Sequence, residues 1–121
     1  MTIKLTKSEW EILEHRLGQS DILQETREDE GHEDGDAVFD ASQRLYDTIG
    51  KTLSIDTSAL NEADKWILSE CVEQTTFFVS LDDSVEYGDI TKSRARTLRK
   101  SGESLERKLN EAGISCEMRW D

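Results

Sequence analysis

The chain has 121 residues and a formal net charge of −12, from 27 acidic against 15 basic side chains, with 35% hydrophobic residues, no proline and two cysteines. That length suits one hydrophobic core, since two would each fall near the size at which burial no longer offsets conformational entropy. No run approaches the roughly 18 apolar residues of a membrane span, and so anionic a surface repels free nucleic acid at long range while drawing in basic partners.

Near the N-terminus, Thr2-Ile3-Lys4-Leu5 alternates polar and apolar side chains, which predicts a short strand. Thr6-x-x-Glu9 is a capping-box pattern that opens a helix with Trp10, Leu13 and Leu17 on one stripe. Gly18 can end that helix and Ser20 or Asp21 begin another through Leu23, although one helix flawed at Gly18 fits the same residues. Residues 28–36 hold six acids, two glycines and no apolar side chain, so ordering them gathers like charges with no burial in return. A flexible acidic loop is expected there, inside one domain spanning 1–121.

Asp36 then suits the cap of a helix with Val38, Ser42, Leu45 and Ile49 on one line, closed by Gly50. After an extended Leu53-Ser54-Ile55, a helix is expected from near Thr57 or Asn61 into the late seventies, burying Leu60, Trp66, Ile67, Leu68, Cys71 and Val72. Phe77-Phe78-Val79 is read as the end of that helix, with a buried strand as the alternative, and 82–90 as a connecting loop. Thr91 caps a last helix whose Ala95, Leu98, Gly102, Leu105, Leu109 and Ala112 share one face, and Gly113 stops it. The final Ile114 to Trp120 alternates strictly, which predicts a strand. The expected fold is α+β, predominantly α, with four to five helices and a small sheet pairing the N- and C-terminal strands. A terminal strand paired across a homodimer interface is the competing arrangement.

Reactive groups are sparse. His15 lies beside Glu14 on a helix that also shows Glu11, His32 sits in the acidic loop, and Cys71 and Cys116 lack metal-ligand spacing and read as buried thiols. The acidic loop departs from calcium-loop spacing, with Ala41 six residues beyond Gly35. The carboxylate pairs Glu11/Glu14 and Glu70/Glu73 resemble the magnesium-binding pairs of all-helical nucleotide pyrophosphohydrolases, but acids this frequent produce such pairs by chance. Phosphate-loop, zincin and serine-hydrolase strings are missing. No cofactor, metal or catalysis is expected.

The charge is uneven: residues 1–90 carry 22 acids and 7 bases, residues 91–121 carry 5 acids and 8 bases. The opening of the last helix holds Lys92, Arg94, Arg96, Arg99 and Lys100, cations set against the helix macrodipole. They either neutralise the chain's own acidic helices or face a phosphate backbone or an acidic partner. The acidic candidates for partner binding are Glu11, Glu14, Asp29, Glu30, Glu33, Asp34, Asp40, Asp47, Glu70 and Glu73. Small size, high negative charge and missing catalytic motifs look like the class of phage-encoded inhibitors of host defence, anti-CRISPR and anti-restriction proteins included. That likeness implies a cytoplasmic binding protein that occupies the basic nucleic-acid-binding surface of a host protein. The alternatives are a dimeric adaptor whose acidity only confers solubility, and a small nucleic-acid-associated protein acting through its basic helix.

Overall fold

The computed structural model describes residues 1–73, 86, 88 and 90–117. Element order is β1 (Thr2–Lys4), α1 (Lys7–Leu17), α2 (Ser20–Asp29), α3 (Gly35–Thr52), β2 (Ser54–Asp56), a 3-10 turn (Thr57–Ala59), α4 (Glu62–Glu73) and α5 (Lys92–Glu111). The fold is predominantly α with one small sheet. Phe77-Phe78-Val79, most of 82–90 and residues 118–120 of the expected last strand lie outside the described residues.

Thr6 starts α1 through the expected reciprocal cap: its Oγ1 accepts the Glu9 N–H at 3.1 Å, and Glu9 Oε1 accepts the Thr6 N–H at 2.8 Å. Ile12, Leu13 and Leu17 turn inward. α1 ends at Gly18, so the two-helix reading is the observed one. The glycine there has an ordinary helical φ of −76°. A Cβ there would make ordinary contact with the Tyr46 ring of α3, at 3.4 Å, and would press more closely on the Glu14 carbonyl oxygen, at 3.2 Å.

α2 and α3 form an antiparallel hairpin locked by the buried Ser20 and Ser42 hydroxyls, which hydrogen-bond to each other. Gln24 Nε2 also donates to Asp36 Oδ1 at 2.8 Å. The helices reach further into the acidic segment than expected, since Glu28 and Asp29 close α2 and Gly35 and Asp36 open α3. The compensating cation stands just outside the segment: Arg27 binds Asp34 through two parallel hydrogen bonds of 2.8 and 3.0 Å. Gly50 does not close α3, which continues to Thr52. Leu53 caps it in the left-handed region at φ 50°, donating to the Ile49 carbonyl at 2.7 Å.

The chain then returns antiparallel to β1, with Ile3 opposite Ile55 and both buried. The Leu5 N–H to Leu53 carbonyl bond of 2.8 Å extends the ladder. Among the described residues, the partner of the N-terminal strand is therefore β2, where a pairing with the C-terminal segment was expected. In that segment Ile114 and Cys116 are buried and Ser115 and Glu117 exposed, so the alternation is real. Its backbone, however, is held by side chains: Asn110 exchanges two hydrogen bonds with Cys116, at 2.9 and 3.0 Å, and Ser69 donates to the Ser115 carbonyl at 2.8 Å. A helix-borne amide thus occupies the polar groups a neighbouring strand would otherwise satisfy.

α4 starts at Glu62, after a reciprocal cap in which Asn61 and Asp64 side chains accept each other's backbone N–H at 2.8 and 3.2 Å. α5 follows its expected face closely, with Thr91 accepting the Arg94 N–H at 3.0 Å, Ala95, Leu98, Gly102, Leu105 and Leu109 buried, and Gly113 at φ 86°. One apolar cluster joins α1, α3, α4 and α5 with the sheet residues Ile3 and Ile55.

Candidate interaction surface

The densest charge lies on the α2–α3 hairpin. Residues 20–52 hold ten acids and three bases, and nine of those acids, all but Asp34, are exposed. Two of the three bases face inward or sideways. Arg27 has a side chain 9% exposed, pairs with Asp34 and stacks 5.0 Å above the Trp66 ring of α4. Arg44 binds the buried Asp64 at 2.6 Å. The Arg27 guanidinium holds the Asp34 carboxyl below its ordinary range, and Asp34 in turn raises Arg27. On α3, Asp36, Asp40 and Asp47 fall within about 40° of one another around the axis, forming one acidic stripe.

The sequence-derived acids therefore separate into groups. Asp29, Glu30, Glu33, Asp40 and Asp47 are exposed and belong to this hairpin, while Asp34 is spent largely on Arg27. Glu11 is bound by Arg94 in a salt bridge between α1 and α5. Glu14 is half-buried at the far end of α1. Glu70 is buried at 7% exposure and so does not belong to an outward-facing contact set, because α4 turns that position toward the interior. Glu73 is half-buried where the described part of α4 ends.

The basic candidates divide likewise. Arg94 is engaged with Glu11 and reaches the Ser8 hydroxyl at 3.4 Å, Arg99 is half-buried, and Lys92, Arg96 and Lys100 are exposed on one line of α5. At Arg94, neutralisation of the chain's own acidic helix is what holds the cation against the helix dipole.

A cleft of about 590 Å³ opens between α1 and α3, its walls including Glu14, Gly18, Gln19, Gln43, Tyr46 and Asp47. A shallower groove continues from it past Trp10, Gly50 and Lys51. Tyr46 is 39% exposed, and its ring centroid lies 5.5 Å from that of Trp10 at 58°. His15 also lines the cleft; burial, then the adjacent Arg16, lowers its imidazole below the ordinary range, so it is neutral at neutral pH.

Metal chemistry finds no three-ligand cluster of His, Cys, Asp or Glu side chains among the described residues. Of the two carboxylate pairs, Glu11 is bound to Arg94 and Glu70 is buried. Both thiols are buried, and burial pushes them up, Cys116 to about 11 and Cys71 further.

Reading by charge alone missed the acids and bases that turn inward. Glu9 is 1% exposed and takes Lys108 Nζ at 2.7 Å; only its capping-box position marked it. The ion pairs of Asp64 and Arg27 carried no local signal, because the partners are 20 and 7 residues away. The Trp10–Tyr46 cleft depends on the packing of α1 on α3 and was equally illegible.

The described helices include none long and apolar enough to cross a membrane. Comparison with protein-family models, with curated proteins and with solved structures finds no match. The class defined by the fold is thus a predominantly helical α+β protein with a two-stranded antiparallel sheet and an acidic helical hairpin.

Proposed function

We propose that the protein is a non-enzymatic acidic binding protein that occupies a basic nucleic-acid-binding surface of a host protein, in the manner of phage- or mobile-element-encoded inhibitors of host defence. One observation carries the reading: the α2–α3 hairpin turns nine carboxylates outward while Arg27 and Arg44 are consumed by internal partners. Charge fixed on two packed helices needs no ordering at the moment of binding, and it steers a cationic cleft toward it. Along α3, Asp36 and Asp40 are about 6 Å apart in axial rise, near the roughly 7 Å spanned by two successive phosphate steps of one DNA strand.

The test is an inhibition assay against DNA-cleaving host-defence enzymes, RNA-guided nucleases and restriction endonucleases among them, at about 50 and about 200 mM salt. Stoichiometric inhibition, relieved by excess DNA and by the higher salt, is expected from the parent chain. The combined variant Asp29→Lys, Glu30→Lys, Glu33→Lys and Asp40→Lys is expected to lose it with its helicity intact. Full inhibition by that variant, or inhibition indifferent to salt, overturns the proposal.

A second reading rests on the exposed line Lys92, Arg96 and Lys100, none of which is in a salt bridge with another described residue. Such a line suits an acidic partner or a phosphate backbone. Reversing these three to Glu separates the two readings, since it is expected to leave the hairpin-mediated contact in place.

A further inference from the structure

We infer that the cleft between α1 and α3 is a receptor for one arginine side chain of the basic partner; this rests on the reading above and names the contact that gives it specificity. The first argument is shape. A cleft of about 590 Å³ has Tyr46 half-open on its wall, with the Trp10 ring tilted beside it at 5.5 Å. A glycine helps to seat that aromatic pair, because a Cβ at Gly50 would crowd the Trp10 ring at 3.1 Å. Gly50 stands inside α3, where glycine is a poor helix former, and the closely approaching indole accounts for it.

The second argument is the chemistry of the rim. Glu14 from α1 and Asp47 from α3 line the cleft, and neither is in a salt bridge with another described residue. Gln19 also contributes to the wall, with its side-chain oxygen below the surface. The site therefore offers acceptors and π faces together. A divalent cation gains nothing from the rings and finds too few oxygens for its coordination shell. A lysine ammonium satisfies the charge at a point. A guanidinium satisfies all of it, since its flat face stacks on an aromatic ring while its edge donates to carboxylate and amide oxygens in one plane.

The experiment is an amide and indole NMR titration of the full chain with the single-arginine peptide acetyl-Gly-Arg-Gly-amide. The equally charged acetyl-Gly-Lys-Gly-amide serves as control. Saturable shifts at Trp10, Gly18, Tyr46 and Gly50 are expected for the arginine peptide, with affinity at least about threefold above that of the lysine peptide. Tyr46→Ala leaves the net charge untouched and is expected to weaken arginine binding about threefold or more. Asp47→Asn, which keeps the side-chain shape, is expected to weaken it as well.

Equal affinity for the two peptides, shifts confined to the α2–α3 turn, or no saturation up to about 20 mM overturns the inference. So does undiminished binding by Asp47→Asn together with a folded Tyr46→Ala. Failure here is distinguishable from failure of the parent reading. The four-lysine reversal changes charge away from the cleft and Tyr46→Ala changes the cleft without changing charge, so inhibition lost only in the former leaves the acidic surface standing without this receptor.

Discussion

Glu9 is a carboxylate inside the protein, capping α1 and binding Lys108, whose ammonium also donates to the Lys4 carbonyl at 2.9 Å. Burial on its own raises that carboxyl; the Lys108 ammonium, the Thr6 N–H and the Ser104 hydroxyl outweigh it and hold it below its ordinary 4.5. A depressed carboxyl stabilises the fold above its unfolded value and loses that contribution as pH falls through the folded one. Glu9→Gln is therefore expected to destabilise by about 1 to 3 kcal/mol at neutral pH. Urea unfolding at two pH values should show the gap between variant and parent closing below the ordinary carboxyl range; a gap that widens in acid contradicts the assignment.

Leu53 offers a second test at this scale. Its left-handed φ of 50° carries strain, while its half-buried side chain packs on the apolar cluster. Alanine removes the packing and keeps the strain; glycine removes both. Leu53→Gly should accordingly be more stable than Leu53→Ala by about 1 kcal/mol, the reverse of the usual helix-propensity order.

Among the elements, the seam between α2, α3 and α4 depends on two arginines, Arg27 buried and Arg44 reaching in from the surface. Arg27 joins the Asp34 carboxylate at the head of α3 to the Trp66 face of α4. Neither Lys nor Met reproduces a bidentate, stacked guanidinium. Arg27→Lys and Arg27→Met are both expected to lower stability by about 1 to 3 kcal/mol in denaturant melts, the larger loss falling on whichever leaves Asp34 unpaired. Asp64, fully buried, serves two elements at once by capping α4 and binding Arg44 of α3. Asn61→Ala should cost about 1 kcal/mol as a lost cap. Asp64→Ala should cost more, because it also strands the Arg44 contact, and a double-mutant cycle with Arg44→Ala measures the difference.

For the whole molecule, a net −12, of which residues 20–52 carry −7 from ten acids and three bases, opposes compaction by self-repulsion. Salt shortens the reach of that repulsion from about 30 Å at 0.01 M to about 8 Å at 0.15 M. The internal pairs of Asp64 and Glu9 are screened far less because their carboxylates are buried. Thermal melts are therefore expected to show Tm rising over this range, and a falling Tm would mean that the ion pairs outweigh the repulsion. Under the proposed function salt acts in opposite senses on stability and on partner capture, a signature that mere solubilising acidity does not share.

Much of the architecture could be read along the chain. Helix faces, the Thr6 and Thr91 caps, the stop at Gly113 and the split near Gly18 all arise within a few residues, where periodicity and capping chemistry act. The balance of charge between the first 90 residues and the rest is likewise a property of composition. Strand partnership lay beyond such signals: β1 chose β2, and Asn110 satisfied the backbone of Cys116, because backbone donors take any acceptor that packing delivers. Packing also decided which carboxylates face water. Glu70 looks like any other acid in sequence, Glu9 and Asp64 differ from one only by their capping positions, and the helices that rotate them inward are the ones that bring Arg44 and Lys108 to Asp64 and Glu9. The cleft has the same origin, since Trp10 and Tyr46 meet only where α1 crosses α3 and Gly50 lets the indole approach.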